Sequence, residues 1–321
     1  MNRDVFIAWQ ASTRSRVFSQ ILKAQLLNPN LSSNKIFRIF QYGFLMLITF
    51  FYLCAKNPRT IFVQLPPFYA IFPTLLYTKL FHRKLVCDCH SGIFLAQNFY
   101  QRIYLNIGKK LLKKATVVLI HNEDLQTLIP ELSSNIVILE DPLIYPPTPP
   151  CNNFRFKIVI VSSGAKDEPI SELINAAREL KHIDFYLTGK NKKLRSKKLP
   201  ENFFITGFLS LQKYESLLKS ADLIVALTNR NYTVLCGAYE AVSLTKPLIT
   251  SNTKTLKKYF PLGTMFTENN SSSIIKAIND AQNKLPQLQE EMCRLRTIKI
   301  KEWEEKFSLL KTLLKKTDAR S

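Results

Sequence analysis

The chain has 321 residues, 46 % of them hydrophobic, with 45 lysines and arginines against 24 carboxylates and a net charge of +21. That length accommodates about two domains, and the apolar fraction supplies cores and excludes a disordered chain. The charge surplus asks for an anionic partner, whether nucleic acid, a phosphorylated small molecule or an acidic membrane.

The opening, MNRDVFIAWQ, carries an acidic residue and a short apolar run. It reads as a first strand, Val5–Trp9, and not as a signal peptide. Two readings are open for Arg14-Ser15 just beyond it. Arg14 meets a diphosphate, or Ser12 or Thr13 caps a helix that leaves Arg14 exposed. A helical pattern follows over Arg16–Leu27. The segment Ile36–Ala55 holds seventeen mostly apolar, uncharged residues from Ile39 to Ala55, the lower limit for a bilayer span. Because strand patterns flank it, the simplest reading is a buried crossover helix, with an interfacial or spanning helix as the alternatives.

Strand patterns recur at Thr60–Leu65, Lys84–Asp88, Val117–His121 and Asn135–Leu139, separated by helical patterns at Phe68–Phe81 and Ile103–Lys113. Strands alternating with helices indicate an α/β protein with parallel sheets. His90 follows a strand end in VCDCHSG, beside Asp88 and Ser91-Gly92, and reads as structural or as a site residue with equal weight. The run KKLLKK, Lys109 to Lys114, makes its helix basic and amphipathic, which suits a solvated face or an anionic membrane surface.

Five prolines between Pro142 and Pro150 mark a linker, because proline fixes φ and cannot donate to a ladder. The expected domains are therefore 1–148 and 149–321. The second half repeats the alternation: strands RFKIVIVSS, DFYLTG, NFFITGF, DLIVALT, KPLITS and GTMFT, helices at Ile170–Leu180, Leu211–Ser220 and Ser271–Gln282, and a long polar helix from Leu285 to about Lys316. The expected architecture is two Rossmann-like halves facing a cleft, the last helix packing back across the junction.

In open α/β sheets ligands bind beyond the carboxyl ends of the strands. After DLIVALT a helix is expected to begin near Tyr232 or Thr233, its opening amides forming an anion site to which Thr233 adds a hydroxyl. Glu240, seven residues past Thr233, returns to the same face with Cys236 and Gly237 between them. That spacing suits a diphosphate at one end and a diol roughly 10 Å away. Glu240 then holds a nucleotide ribose or is an ordinary helix glutamate.

The stretch TVLCGAYEAVSLTKPLITSN, followed by LKKYFPLGTMF and SSSIIKAI, resembles the donor-binding region of GT-B-fold glycosyltransferases of the group-1 family. The resemblance spans most of the second half and is weak in the first, where VQLPP and DCHSGIF carry it. It implies a sugar transferase that takes a nucleotide-diphosphate sugar and a glycan or lipid-linked acceptor, retains anomeric configuration and needs no metal or cofactor. Glu240 matches the second glutamate of the family's Glu-x7-Glu element; the first falls at position 232, here Tyr232. By the same resemblance Lys166 stands where a cation meets the diphosphate, Gly207-Phe208 where backbone reads the base, and His90 near the donor sugar.

Six cysteines without a CxxC fit a reducing compartment, so the expected location is cytoplasmic, with peripheral attachment at the inner face of a membrane as an option. Four histidines without HExxH offer no metal constellation, and the absence of GxGxxG disfavours a dinucleotide oxidoreductase. The loop KNKKLRSKK, Lys190 to Lys198, has no interleaved aromatic for base stacking, so no nucleic acid is expected. The rival reading is a non-catalytic basic protein of the same fold, binding RNA or an anionic membrane.

Overall fold

In the computed structural model, which describes residues 4–10, 12–29, 35–95, 99–150, 153–191, 194 and 198–316, the chain forms two compact units. One comprises residues 1–142 with 303–321, the other residues 143–302.

The first unit is built on six parallel strands: β1 (Val5–Ile7), β2 (Gln25–Leu27), β3 (Thr60–Leu65), β4 (Lys84–Cys89), β5 (Val117–Ile120) and β6 (Ile136–Ile138), in the order β2-β1-β3-β4-β5-β6. Val5 pairs with both Gln25 and Ile61, and Gln64 with Asp88. Every residue of β3 is buried, because parallel strands covered on both faces read as continuous apolar runs. Helices α2 (Lys35–Lys56), α3 (Ile71–Phe81) and α4 (Phe99–Leu112) cover one face, sharing a core with Ile7, Ile61, Val63 and Val118. The other face packs α1 (Thr13–Ile21) through Phe18, and the end of the last helix through Phe307 and Leu310.

Two expectations need correction here. The helix expected over Arg16–Leu27 stops at Ile21; Lys23 turns the chain at φ +52° and Gln25–Leu27 becomes the edge strand β2. The apolar segment Ile36–Ala55 is a crossover helix buried on one side only. Leu45, Thr49 and Leu53 point into the core, while Phe40, Phe44, Leu47 and Phe51 are exposed. Among the described residues, no helix is long and apolar enough to cross a membrane.

The second unit has strands β7 (Phe156–Ile160), β8 (Ile183–Thr188), β9 (Phe203–Gly207), β10 (Leu223–Ala226), β11 (Leu248–Ser251) and β12 (Thr264–Thr267), all parallel, in the order β12-β11-β10-β7-β8-β9. This is the doubly wound order, in which strand succession reverses between β7 and β10. Helices α5 (Ile170–Glu179) and α9 (Ser271–Asn283) close one core with Ile160, Phe185 and Val225. Helices α6 (Leu211–Lys219), α7 (Cys236–Leu244) and α8 (Lys254–Tyr259) close the other. The final helix, α10 (Leu285–Lys316), adds Met292 and Leu295 to that second core. Before α7, residues Leu143–Thr148 are pinned to it: the Tyr145 N–H donates to Ser243 Oγ at 2.7 Å, and that hydroxyl donates back to the Tyr145 carbonyl.

Candidate functional site

The reversal point of the second sheet brings together the loops that follow β7, β8 and β10. Two glycines permit this. Gly164 and Gly189 both take the left-handed region, at φ +79° and +82°, and a Cβ on Gly189 would stand 2.1 Å from the Ser162 carbonyl. The loop after β7 wraps a carboxylate: Glu168 accepts from the Ser163 and Gly164 amides at 2.9 and 3.1 Å and from the Ser162 and Ser163 hydroxyls. Successive amides turned toward one point form an anion nest. Here that nest is filled from within. Asp167 ties the loop to the end of β10, accepting from the Thr228 hydroxyl at 2.6 Å, pairing with Arg230 at 2.9 Å, and receiving the Asn229 amide on its carbonyl. Lys166 lies at the turn of this loop, exposed.

The approach to α7 differs from the expected one. Tyr232 adopts a left-handed conformation at φ +59°, and Leu235 is extended at φ −110°, ψ 131°. The chain therefore enters the helix only at Cys236, and no side chain caps it. Tyr232 and Thr233 precede the helix: Tyr232 is exposed, and the Thr233 hydroxyl donates to the Asn231 carbonyl at 3.2 Å. Glu240 consequently sits one turn past the helix start, not two, roughly 6 Å along the axis from Cys236. Gly237 turns toward the sheet, where a Cβ would meet Val161 at 2.7 Å and Ala226 at 3.1 Å. Its missing side chain thus brings α7 down onto the strand ends.

Glu240 is half-buried. Its Oε2 accepts a 2.6 Å hydrogen bond from the Tyr214 hydroxyl, supplied by α6. Burial, reinforced by the Glu240 charge, pushes the Tyr214 phenol far above its ordinary value, so it stays protonated and donates. Tyr145 is raised by the same two causes in the same order. At the end of β9, Gly207 turns at φ +69° and Phe208 stands 82 % exposed, with the Lys190 ammonium 5.8 Å from its ring centre. Most of the Lys190–Lys198 loop lies outside the described residues.

In the first unit, Arg14 is neither an exposed cap residue nor an open cation. It is 5 % exposed, with its Nε 3.0 Å from both Asp88 oxygens, Nη1 2.7 Å from Asp141 and Nη2 2.9 Å from the Leu139 carbonyl. Ser12 does cap α1, in a reciprocal pair with Ser15. Burial alone would raise the Asp88 carboxyl; the Arg14 guanidinium overrides it and holds the group below its usual range. Next to this pair, at the ends of β4 and β5, His90 and His121 pack edge to face with ring centres 4.7 Å apart. Burial lowers both imidazoles, His121 the further, so both are neutral at pH 7. Among the described residues, the buried Nε2 atoms of these two histidines have no hydrogen-bond partner. Cys87 and Cys89 are buried free thiols on β4, whereas Cys236 and Cys293 are exposed; Cys151 lies outside the described residues.

Glu240 and His90 stood out as candidates in the sequence, whereas Tyr214, Glu168 and His121 did not. His121 was legible, since it ends a strand pattern as His90 does. Tyr214 and Glu168 carry no local signal.

No family model and no curated protein sequence matches the chain. Solved structures do. Sucrose-phosphate synthase from Thermosynechococcus elongatus superposes with a TM-score of 0.73 at 12 % identity, covering 93 % of this chain and 84 % of that one. HepE of Anabaena, in complex with UDP and glucose, gives 0.69 at 11 % identity over 96 % of this chain and 100 % of its own. A glycosyltransferase from Rickettsia africae gives 0.63 at 15 % identity over 97 % and 90 %. At such identities the likeness establishes the fold, two Rossmann-like domains of the GT-B type with a long C-terminal helix.

Proposed function

We propose that the chain is a glycosyltransferase that moves a sugar from a nucleotide-diphosphate sugar to a glycan or lipid-linked glycan. The observation that carries this reading is Glu240: a half-buried carboxylate on α7, one turn past an uncapped helix start, beside the reversal point of a doubly wound sheet. A carboxylate offers about four acceptor positions. The bond from Tyr214 orients this carboxylate, which would accept from the two hydroxyls of a ribose.

The remaining parts follow from charge and shape. Departure of a nucleoside diphosphate builds negative charge, which must be met where it develops. The first-turn amides of α7 around Cys236 and Gly237, with the positive end of the helix dipole, supply part of it. Exposed Lys166 supplies a mobile cation. Arg14, committed to Asp88 and Asp141, is left out of this role. Gly207 and the exposed Phe208 ring offer a turn and an aromatic face to the base. His90 is carried as the first unit's candidate near the sugar, on the resemblance of its DCHSG context. Tyr232 replaces a donor-contacting glutamate, so donor preference should differ from that of enzymes holding the pair. HepE is solved with UDP-glucose and with UDP, which supports a uridine nucleotide as the first donor to test. Retention and metal independence are inferred from the same resemblance. Free thiols among the described cysteines suit a reducing compartment, and a lipid-linked acceptor requires work at a membrane face.

The test is a panel of UDP- and GDP-sugars, with release of the nucleoside diphosphate as readout. One donor should turn over or stabilise the protein against heat. A protein that ignores every nucleotide while binding RNA in a salt-sensitive way would favour the non-catalytic rival.

A further inference from the structure

The three helices on one face of the first sheet present an outer surface unlike an ordinary solvated one. On α2, Phe40, Phe44, Leu47 and Phe51 are 61–76 % exposed and Ile48 joins them. These positions recur every three to four residues and make one stripe about 100° wide on the side opposite Leu45, Thr49 and Leu53. Helix α3, packed against α2, continues the surface with Phe72, Leu76 and Leu80, each four residues from the last. Exposed Ile107 on α4 belongs to the same layer. Contiguous exposed apolar side chains on this scale mark an interaction surface.

Charge decides what covers it. Between residues 5 and 122 the sequence has fifteen lysines and arginines and a single carboxylate, Asp88, which is fully buried against Arg14. Helices α2, α3 and α4 contain no acidic residue at all, while Lys56, Lys79 and Lys110 on them are exposed. An aromatic and aliphatic stripe on helices whose own charged residues are all cations, and which are not long and apolar enough to cross a membrane, has the chemistry of a surface lying in the interface of an anionic bilayer. A second copy of this chain is disfavoured as occupant, because apposing two such faces brings like charges together.

We propose that the outer face of α2 and α3 docks the protein flat on an anionic phospholipid surface, with Phe44, Leu47, Phe51 and Leu76 inserted among the acyl chains and the neighbouring lysines on the headgroups. This surface is separate from the Glu240 site, and its test uses no nucleotide, so either reading can fail alone.

The experiment is flotation of the full chain with vesicles of phosphatidylcholine, with and without phosphatidylglycerol, at low and high salt. Wild type should float with the anionic vesicles, less so at high salt. Phe44→Asp combined with Phe51→Asp, and separately Leu76→Asp, should each lower the bound fraction at least tenfold. These side chains are exposed, so thermal melts and nucleotide-induced stabilisation should be unchanged in the variants. Three results would overturn the proposal: variants that float like wild type, binding indifferent to phosphatidylglycerol, or a wild-type dimer that the substitutions dissociate while no vesicle captures the monomer.

Discussion

Arg14→Met removes the centre of the first unit's buried polar cluster, and its consequences follow from the contacts around it. The arginine side chain is 3 % exposed and Asp88 is 0 % exposed. Methionine keeps the apolar stem against Phe18, over which the guanidinium lies at 4.2 Å. It deletes the bonds to both Asp88 oxygens, to Asp141 and to the Leu139 carbonyl. Breaking a buried pair from one side leaves an uncompensated charge and costs about 3–5 kcal/mol. Protonation of Asp88 sets how this loss varies with pH. In wild type Asp88 is held below its ordinary value, so its stabilisation is complete above about pH 4 and lost as pH falls through the folded value. In the variant, burial is opposed only by His90 and His121, so that carboxyl moves up from its wild-type position and the deficit relative to wild type shrinks as the medium is acidified. The chain has two tryptophans, Trp9 and Trp303, and both belong to the first unit, so urea unfolding followed by tryptophan fluorescence reports this unit selectively. Adding Asp88→Leu to Arg14→Met should recover most of the loss, because a buried pair replaced by apolar groups is close to neutral. A loss below about 1 kcal/mol for Arg14→Met, typical of an exposed ion pair, would refute the reasoning.

Other expectations follow from the same geometry. Gly237→Ala should destabilise the second unit by about 1–3 kcal/mol, since the added methyl meets Val161 and Ala226; thermal melting by circular dichroism checks it. His90 and His121 are lowered by burial, so the unfolded chain binds protons that the folded one does not once pH falls through about 6.5. The first unit should therefore lose stability from about pH 7 toward acid, at up to about 1.4 kcal/mol per pH unit per histidine, and His121→Phe should flatten that slope in a fluorescence-monitored titration. Tyr214→Phe deletes one donor to Glu240 and should weaken nucleotide binding about fivefold, near 1 kcal/mol, with little change in fold.

The alternation of strands and helices was readable because parallel strands buried on both faces give long apolar runs such as TIFVQL and DLIVAL. What escaped was set by tertiary context. The three residues of β2 are too few to show a period and sat inside a helical pattern. The late start of α7 depends on Tyr232 in the left-handed region, which a tyrosine rarely occupies and no residue type announces. Arg14 and Asp88 are 74 positions apart, so their pairing had no local trace and Arg14 read as an open cation. Glu240 stood out as a candidate because a carboxylate among small and apolar residues needs a reason to be there. The exposure of one side of α2 was not legible, since a helix apolar all round looks buried from its sequence.

Glu240 is proposed to accept the ribose hydroxyls of a bound nucleotide. Calorimetric titration with the nucleoside diphosphate that the donor panel identifies, and with its 2′,3′-dideoxy counterpart, tests it most directly. A hydrogen bond to a charged acceptor is worth about 1.5 kcal/mol or more, so losing two should make wild type bind the dideoxy ligand at least roughly a hundredfold more weakly, and Glu240→Ala should bind both ligands alike at that weaker level. Equal discrimination between the two ligands by wild type and Glu240→Ala would contradict the account.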